Sequence, residues 1–179
     1  FRDQSFTADL HSAGLKRIED VSFLRNFQFA EDKGPTSHAV KPKQYVAIDN
    51  FYTTTIYEKG AEIIRMLEIL LGHERFMKGV KVYIDRFDGK AATTEDFLFS
   101  AIEGAYLDKK NCPFSIRKFQ NWYYKPGTPK VYVNQFWDSH TSTLSITFEQ
   151  ESNTRGDNEE MVIPILYSCY NREDINNPI

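Results

Sequence analysis

The residues best suited to chemistry lie in one stretch of the chain, 49–62, which reads DNFYTTTIYEKGAE. Taken alone, this stretch predicts a helix that begins with three threonines between Tyr52 and Tyr57 and continues through Glu58 and Gly60. Threonine hydroxyls cap helix starts, and a glycine allows another backbone to approach closely at a cost of about 1 kcal/mol relative to alanine. A tyrosine on such a helix is either part of the core or part of a site. Spacing alone leaves both interpretations of Tyr57 open.

Other catalytic signatures are missing from the sequence. It contains no G-x-S-x-G motif and no glycine-rich phosphate loop, and its four histidines are scattered. His73 and Glu74 begin like the zinc motif H-E-x-x-H, but position 77 is methionine, whose thioether is a poor zinc ligand. We therefore interpret His73–Met77 as the charged first turn of a helix, and no metal site is complete within these residues.

Apolar residues three or four apart predict the helices that carry these side chains. An amphipathic helix is expected from Leu15 to about Glu31, ending at the Gly-Pro pair that follows, and residues 35–50 are expected to form an ordered loop. Thr93 and Asp96 form a capping signature. The remaining predicted helices are 56–71, 74–86, about 94–105 and 115–124.

After Gly127 the apolar period changes from near 3.6 to 2, which predicts strands. The expected strands are 131–133, 144–148 and 161–170, and Pro164 favours an edge position for the third. Three strands are too few for a complete sandwich. We therefore predict two domains, a helical one over 1–127 and the start of a β domain over 128–179.

Composition excludes several classes of function. The 179 residues include 22 Lys and Arg against 25 Asp and Glu, a net charge of −3, which argues against nucleic-acid binding. Hydrophobic residues at 41% argue against disorder, and the longest apolar run is far too short to span a membrane. Two cysteines do not make a disulfide framework. The chain begins with Phe1 and carries no targeting signal that would decide its location, for which we favour the cytoplasm.

Four phrases together resemble the gluzincin zinc aminopeptidases of the bacterial type: 1–4 (FRDQ), 29–32 (FAED), 50–62 (NFYTTT-x-YEKGAE) and 127–129 (GTP). They occur in that family's order and at similar spacing, over about residues 1–133. The resemblance implies a mainly α fold, the irregular helical part of a thermolysin-like catalytic domain followed by a partial antiparallel β-sandwich.

The resemblance also implies a function. Relatives remove the N-terminal amino acid from peptides with one zinc ion, held by an H-E-x-x-H…E ligand set that would lie upstream of Phe1. This chain would then bind no metal by itself, would be inactive alone, and would need the remainder of the catalytic domain to act on peptide substrates. By position, Tyr57 matches the tyrosine that donates to the oxyanion, while Tyr52 and Glu58 match the first substrate pocket. Asp3 could accept a hydrogen bond from a zinc-ligating histidine, or it could be a solvated helix residue.

Two further possibilities stay open. The chain could be a non-catalytic helical protein-interaction module, although no repeat of about 34–47 residues is visible. As a corollary of the enzyme interpretation, an apolar face left without its covering half would make the fragment self-associate.

Overall fold

The computed structural model describes residues 1–106, 111–151, 160–171 and 174–178, of which 171 and 174–178 are described through their backbone alone. These residues form seven α-helices: α1 (Arg2–Leu10), α2 (Ala13–Phe23), α3 (Phe29–Lys33), α4 (Gly60–Leu71), α5 (His73–Phe87), α6 (Thr94–Ala105) and α7 (Ile116–Tyr124). Four strands follow: β1 (Lys130–Asp138), β2 (Thr143–Glu151), β3 (Tyr170–Asn171) and β4 (Asp174–Pro178). The expectation of a mainly α fold that continues into an antiparallel β region is confirmed.

Two of the predicted helices are interrupted by π-helical turns. The helix expected over 15–31 divides into α2, a first π-turn at Leu24–Gln28, and α3. The helix expected from Ile56 begins with a second π-turn at Thr55–Lys59 before α4. In each turn a backbone N–H reaches the carbonyl five residues back, from Phe29 to Leu24 and from Gly60 to Thr55. Such turns are rare and frequently occur at functional sites.

The helix boundaries follow local signals in the sequence. The Thr93 hydroxyl accepts from the Asp96 N–H at 3.1 Å, and the Asp96 carboxylate accepts from the Thr93 N–H at 2.8 Å, which confirms the predicted capping pair. Gly72 separates α4 from α5 with a φ of 78°, a conformation that favours glycine.

The hydrophobic core lies among α4, α5, α6 and α7. Its ten buried members are Ile63, Leu67, Leu71, Phe76, Leu98, Ala101, Ile102, Phe119, Trp122 and Tyr123. Helices α5 and α6 are in close contact at Gly79. A Cβ on Gly79 would lie 2.4 Å from the Cα of Ala101, so the contact needs a residue without a side chain. Through Ile63 and Leu67, the first half of α4 packs into this core.

The apolar stripe of α2 is not part of that core. Leu15, Ile18 and Phe27 are largely exposed, together with Phe6 and Leu10 of α1. We call these five residues the apolar surface. The accessible area of the chain, 12858 Å², also exceeds the roughly 9,000 Å² expected for a folded monomer of 20.9 kDa. In place of the stripe, the second half of this helical segment buries polar residues, Gln28 and Asp32.

Strands β1 and β2 pair antiparallel, from Lys130 opposite Glu151 to Asp138 opposite Thr143, as predicted for the first two strands. The prediction of a strand over 161–170 is wrong, because only Tyr170 of that range is in a strand. Residues 160–163 instead lie against α7: the Trp122 Nε1–H donates to the Val162 carbonyl at 2.8 Å.

In the described part of the chain, none of the helices combines the length and apolar character that a membrane span requires.

Candidate active site

Three of the four predicted site residues line one cavity, and the fourth, Tyr52, lies beside Tyr57. Tyr57 and Glu58 lie on the second π-turn and Asp3 lies on α1, and all three line a cavity of about 340 Å³ next to α2. Tyr52 precedes the turn, and its ring stacks beside that of Tyr57 with the centroids 6.3 Å apart. Tyr57 and Glu58, which are 54 and 55 positions after Asp3 in the sequence, thus line the same cavity as Asp3.

Tyr57 is not a core tyrosine. Tyr57 is 58% exposed, and the neighbouring Tyr52 is 69% exposed. The hydroxyl of Tyr57 has no hydrogen-bond partner among the described residues. A phenol held at a cavity wall with its O–H unengaged is available to donate to a ligand.

The cavity is rich in carboxylates. Asp3, Glu19, Asp20 and Glu58 line it, and the basic groups beside them are the Lys16 ammonium and the amino group of Phe1. Lys16 pairs with Asp20 at 2.8 Å. The hydrogen bond to Asp20 raises the pKa of Lys16, and the charges of Glu19 and Asp3 act in the same direction. The balance of charge around this cavity therefore favours a cationic group.

The start of the second π-turn is held by hydroxyl groups. The amide of Gln28 donates to the Thr55 hydroxyl at 3.3 Å in a buried contact that joins the two π-turns. The neighbouring Thr54 hydroxyl donates to Glu31, which also contacts Nε2 of His38 at 3.1 Å. Thr53 accepts from the Ile56 N–H at 3.2 Å, so the predicted capping role belongs to this threonine.

The end of the same turn is held by a buried ion pair. Lys59 Nζ lies 2.8 Å from Asp32 Oδ2, and the two side chains are 6% and 1% exposed. Lys59 also donates to the Gly127 carbonyl at 2.8 Å, while Asp32 accepts from the Gly127 N–H at 2.9 Å and the Thr128 hydroxyl at 3.0 Å. We call Asp32, Lys59, Gly127 and Thr128 the Asp32 network.

Burial affects the pKa of both members of this ion pair. Burial by itself raises the pKa of Asp32, but the charge and hydrogen bond of Lys59, with bonds from Gln28 and Gly127, outweigh it and hold the pKa below its ordinary value. Burial lowers the pKa of Lys59, and Asp32 opposes that shift. Asp32 is therefore an anion in the folded chain.

Sequence reasoning did not identify the Asp32 network. Its hydrogen-bonded partners are 27 to 96 residues apart, and a helix pattern does not indicate which charged residues are buried. One signal was available: Asp32, Lys59 and Gly127 each belong to one of the four quoted phrases. Among the described residues, the close backbone approach expected at Gly60 is absent, because a Cβ there would meet only the Val40 Cγ1, at an ordinary 3.6 Å.

The residues present do not fit a zinc ion. Within residues 1–106, 111–151 and the shorter described segments after them, no three side chains of His, Cys, Asp or Glu lie close enough together to bind a metal. The chemistry that these residues can supply is that of a hydroxyl donor, an aromatic wall and several carboxylates.

Comparison with known proteins identifies the class. Residues 3–122 match the sequence model of the "Peptidase family M1 domain", and residues 127–178 match that of a "Domain of unknown function (DUF3458) Ig-like fold". The chain belongs to peptidase family M1, and the resemblance stated from its four phrases is confirmed.

The chain is similar to bacterial aminopeptidase N. It is 42% identical to Aminopeptidase N of Haemophilus influenzae over 173 residues, which cover 95% of this chain and 19% of that protein. It is 39% identical to Aminopeptidase N of Escherichia coli over 176 residues, 97% of this chain and 19% of that protein. The chain thus spans about a fifth of the length of these curated relatives.

A solved structure supports the fold. The crystal structure of Legionella pneumophila aminopeptidase A in complex with aspartic acid matches with a TM-score of 0.65 and 26% sequence identity. The match covers 84% of this chain and 16% of that one.

Proposed function

We propose that the protein that contains this chain is an aminopeptidase, which removes N-terminal amino acids from peptides, and that Tyr57 donates a hydrogen bond to the oxyanion of the tetrahedral intermediate. One observation carries the proposal: the Tyr57 phenol faces a cavity with its hydroxyl unengaged, on a turn whose two ends are fixed by buried contacts. Membership of family M1 favours an enzyme over the alternative of a helical interaction module.

The chemistry follows from where charge develops. When a nucleophile adds to the scissile carbonyl, the oxygen gains a negative charge that a fixed O–H donor stabilises more than it stabilises the neutral carbonyl. Such a donor typically contributes about 10²–10³ in kcat, or about 3–4 kcal/mol of barrier. Tyr57 supplies the donor because its ring leaves the packed core at the middle of the second π-turn.

The neighbouring residues have roles in substrate binding. We assign Tyr52 and Glu58 to the pocket for the first substrate residue, with the Tyr52 ring as an aromatic wall beside Tyr57. For Asp3, exposed on α1 at the cavity, we propose acceptance of a hydrogen bond from a zinc-ligating histidine. Replacing Asp3 by Ala in the intact enzyme should weaken zinc affinity, about 10–100-fold for a lost ligand partner, and an unchanged affinity would favour a solvated helix residue.

Zinc itself enters through the family resemblance. We propose that the metal is held by a part of the protein outside this chain, and that the 179-residue chain alone is therefore inactive. The same missing part is the proposed cover for the apolar surface, since exposed apolar patches of this kind mark interaction sites.

We further propose the division into a helical domain over 1–127 and a β domain over 128–179, supported by the end of α7 at Tyr124 and the start of β1 at Lys130.

Replacing Tyr57 by Phe in the intact enzyme tests the proposal. We expect kcat to fall by about 10²–10³ with zinc content unchanged, because the substitution removes only the hydroxyl. Tyr45→Phe is the matched control: Tyr45 is also exposed, and its ring contact with Phe51 at 4.5 Å does not need the hydroxyl. Near-normal turnover of the Tyr57→Phe enzyme would refute the assignment.

A further inference from the structure

The Asp32 network connects the turn that carries Tyr57 with the segment that leads into β1. We propose that Asp32 and Lys59 are positioning residues, which fix the second π-turn so that the Tyr57 hydroxyl faces the cavity, and which make that placement depend on the position of Gly127. This inference rests on the proposed function of Tyr57.

Lys59 is the last residue of the π-turn, directly after Glu58 and two residues after Tyr57. Its ammonium group bridges Asp32 and the Gly127 carbonyl at 2.8 Å each. At the other end of the turn, Thr55 is fully buried and bonded to Gln28. The turn is therefore anchored before and after Tyr57, while Tyr57 itself projects from the protein.

The anchoring matters because a π-turn has an alternative. The same five residues could instead form the commoner α-helix, in which each N–H bonds to the carbonyl four residues back rather than five. That change would rotate the residues that precede α4 by about 100° around the helix axis, which follows from 3.6 residues per turn. Tyr57 would then face away from its present cavity. The direct bonds of Lys59 and Thr55 hold the π form.

The presence of the buried Asp32–Lys59 pair is better explained by the fixed geometry that it imposes than by a gain in stability. Replacing such a pair by apolar residues of similar volume is often neutral or stabilising, so stability alone does not require Asp32 and Lys59. Four hydrogen bonds between 2.8 and 3.0 Å, however, define one arrangement of α3, the π-turn and the residues before β1. A displacement of Gly127 would move Lys59, and with it the turn.

The test compares two lysine substitutions in the intact enzyme. Lys59→Met should lower kcat about 10–100-fold, the loss typical of a catalytic group displaced by about 1 Å, with KM changed less than about 3-fold. Lys41→Met is the matched control, because Lys41 also forms an ion pair, at 2.7 Å with Glu95 on α6, but does not contact the π-turn. Its kcat should equal that of the unmodified enzyme.

Combination with Tyr57→Phe separates positioning from general damage. If Lys59 acts through Tyr57, adding Lys59→Met to the Tyr57→Phe enzyme should slow it by less than about 2-fold, because there is no hydroxyl left to misplace. A full additional loss in that background would overturn the inference. So would unchanged kcat in Lys59→Met when Tyr57→Phe alone is slow, and that result would leave the proposed function standing. Normal turnover of Tyr57→Phe would remove the proposed function and this inference with it.

A second variant covers a failure to fold, since Lys59→Met leaves Asp32 buried without its partner. Asp32→Asn keeps the shape and the acceptor oxygen for Gly127 but removes the charge that holds Lys59. We expect the same loss of kcat and the same non-additivity with Tyr57→Phe. Additive losses, or none, would overturn the inference.

Discussion

Replacing Gly127 by Ala probes the Asp32 network through the backbone. Gly127 has a φ of 84°, in the left-handed region where any residue with a Cβ pays about 1–2 kcal/mol. Relief of that strain by rotation would move its N–H away from Asp32 or its carbonyl away from Lys59. Hydrogen bonds to charged groups contribute about 1.5–3 kcal/mol each. Because rotation that relieves the strain breaks one of these bonds, the cost is that of the lost bond, and we expect Gly127→Ala to lower the free energy of unfolding by about 1.5–3 kcal/mol.

Gly89 provides the matched control. Its φ of 69° carries the same conformational penalty, but it is exposed and a Cβ there would meet no atom of the described residues within 4 Å. We expect Gly89→Ala to cost about 1 kcal/mol. The excess loss in Gly127→Ala over this control is the contribution of the network.

Urea unfolding of the 179-residue chain, followed by tryptophan fluorescence, measures the difference. The chain has two tryptophans, of which Trp122 is buried on α7 and Trp137 is exposed on β1. A Trp137→Phe background therefore leaves Trp122 as a single reporter close to Gly127 in sequence. Equal losses for the two glycine substitutions, within about 0.5 kcal/mol, would show that the network does not stabilise the fold.

Three further predictions concern burial and charge. The Tyr123 hydroxyl is buried without a hydrogen-bond partner among the described residues, so Tyr123→Phe should be neutral or raise the free energy of unfolding by up to about 1 kcal/mol in urea titrations. Burial raises the pKa of Tyr123, so the same variant should also lose less stability than the parent as pH rises above 10.0. The pKa of Asp32 is held below 3.8, so its contribution to stability is complete above that pH and is lost as the pH falls through the folded pKa; acid titration of Asp32→Asn should lack this component. Ile18 is 67% exposed on the apolar surface, so size-exclusion chromatography of the chain should show concentration-dependent association that Ile18→Glu reduces, and a monomer at all concentrations would count against a covering partner.

The elements that the sequence predicted well depend on local signals. The Thr93–Asp96 cap, the stop of α4 at Gly72 and the β1–β2 hairpin each need only residues close along the chain. The strand expected over 161–170 failed for the opposite reason: the Val162 carbonyl accepts a hydrogen bond from Trp122, 40 positions away, in place of strand pairing. Local sequence propensity carries no information about a contact with a residue so far along the chain.

The candidate site divides in the same way. Tyr57, Tyr52, Glu58 and Asp3 were identified because each lies in, or at a position named by, the family phrases. The residues that fix the turn were missed, since the burial of Lys59 and Asp32 depends on α3, α4 and the residues before β1 meeting in space. Periodicity predicted α2 as amphipathic but could not show that its apolar stripe lies at the surface of this chain.

The binding of a tetrahedral anionic substrate analogue to the intact enzyme measures the role of Tyr57 most directly. Because a transition-state donor acts on the developing oxyanion, Tyr57→Phe should weaken analogue binding by the same factor, about 10²–10³, by which it lowers kcat/KM. Binding of a neutral-carbonyl ground-state ligand should change by less than about 3-fold, since uniform binding does not involve the donor. If the analogue binds both enzymes equally tightly, Tyr57 does not stabilise the oxyanion.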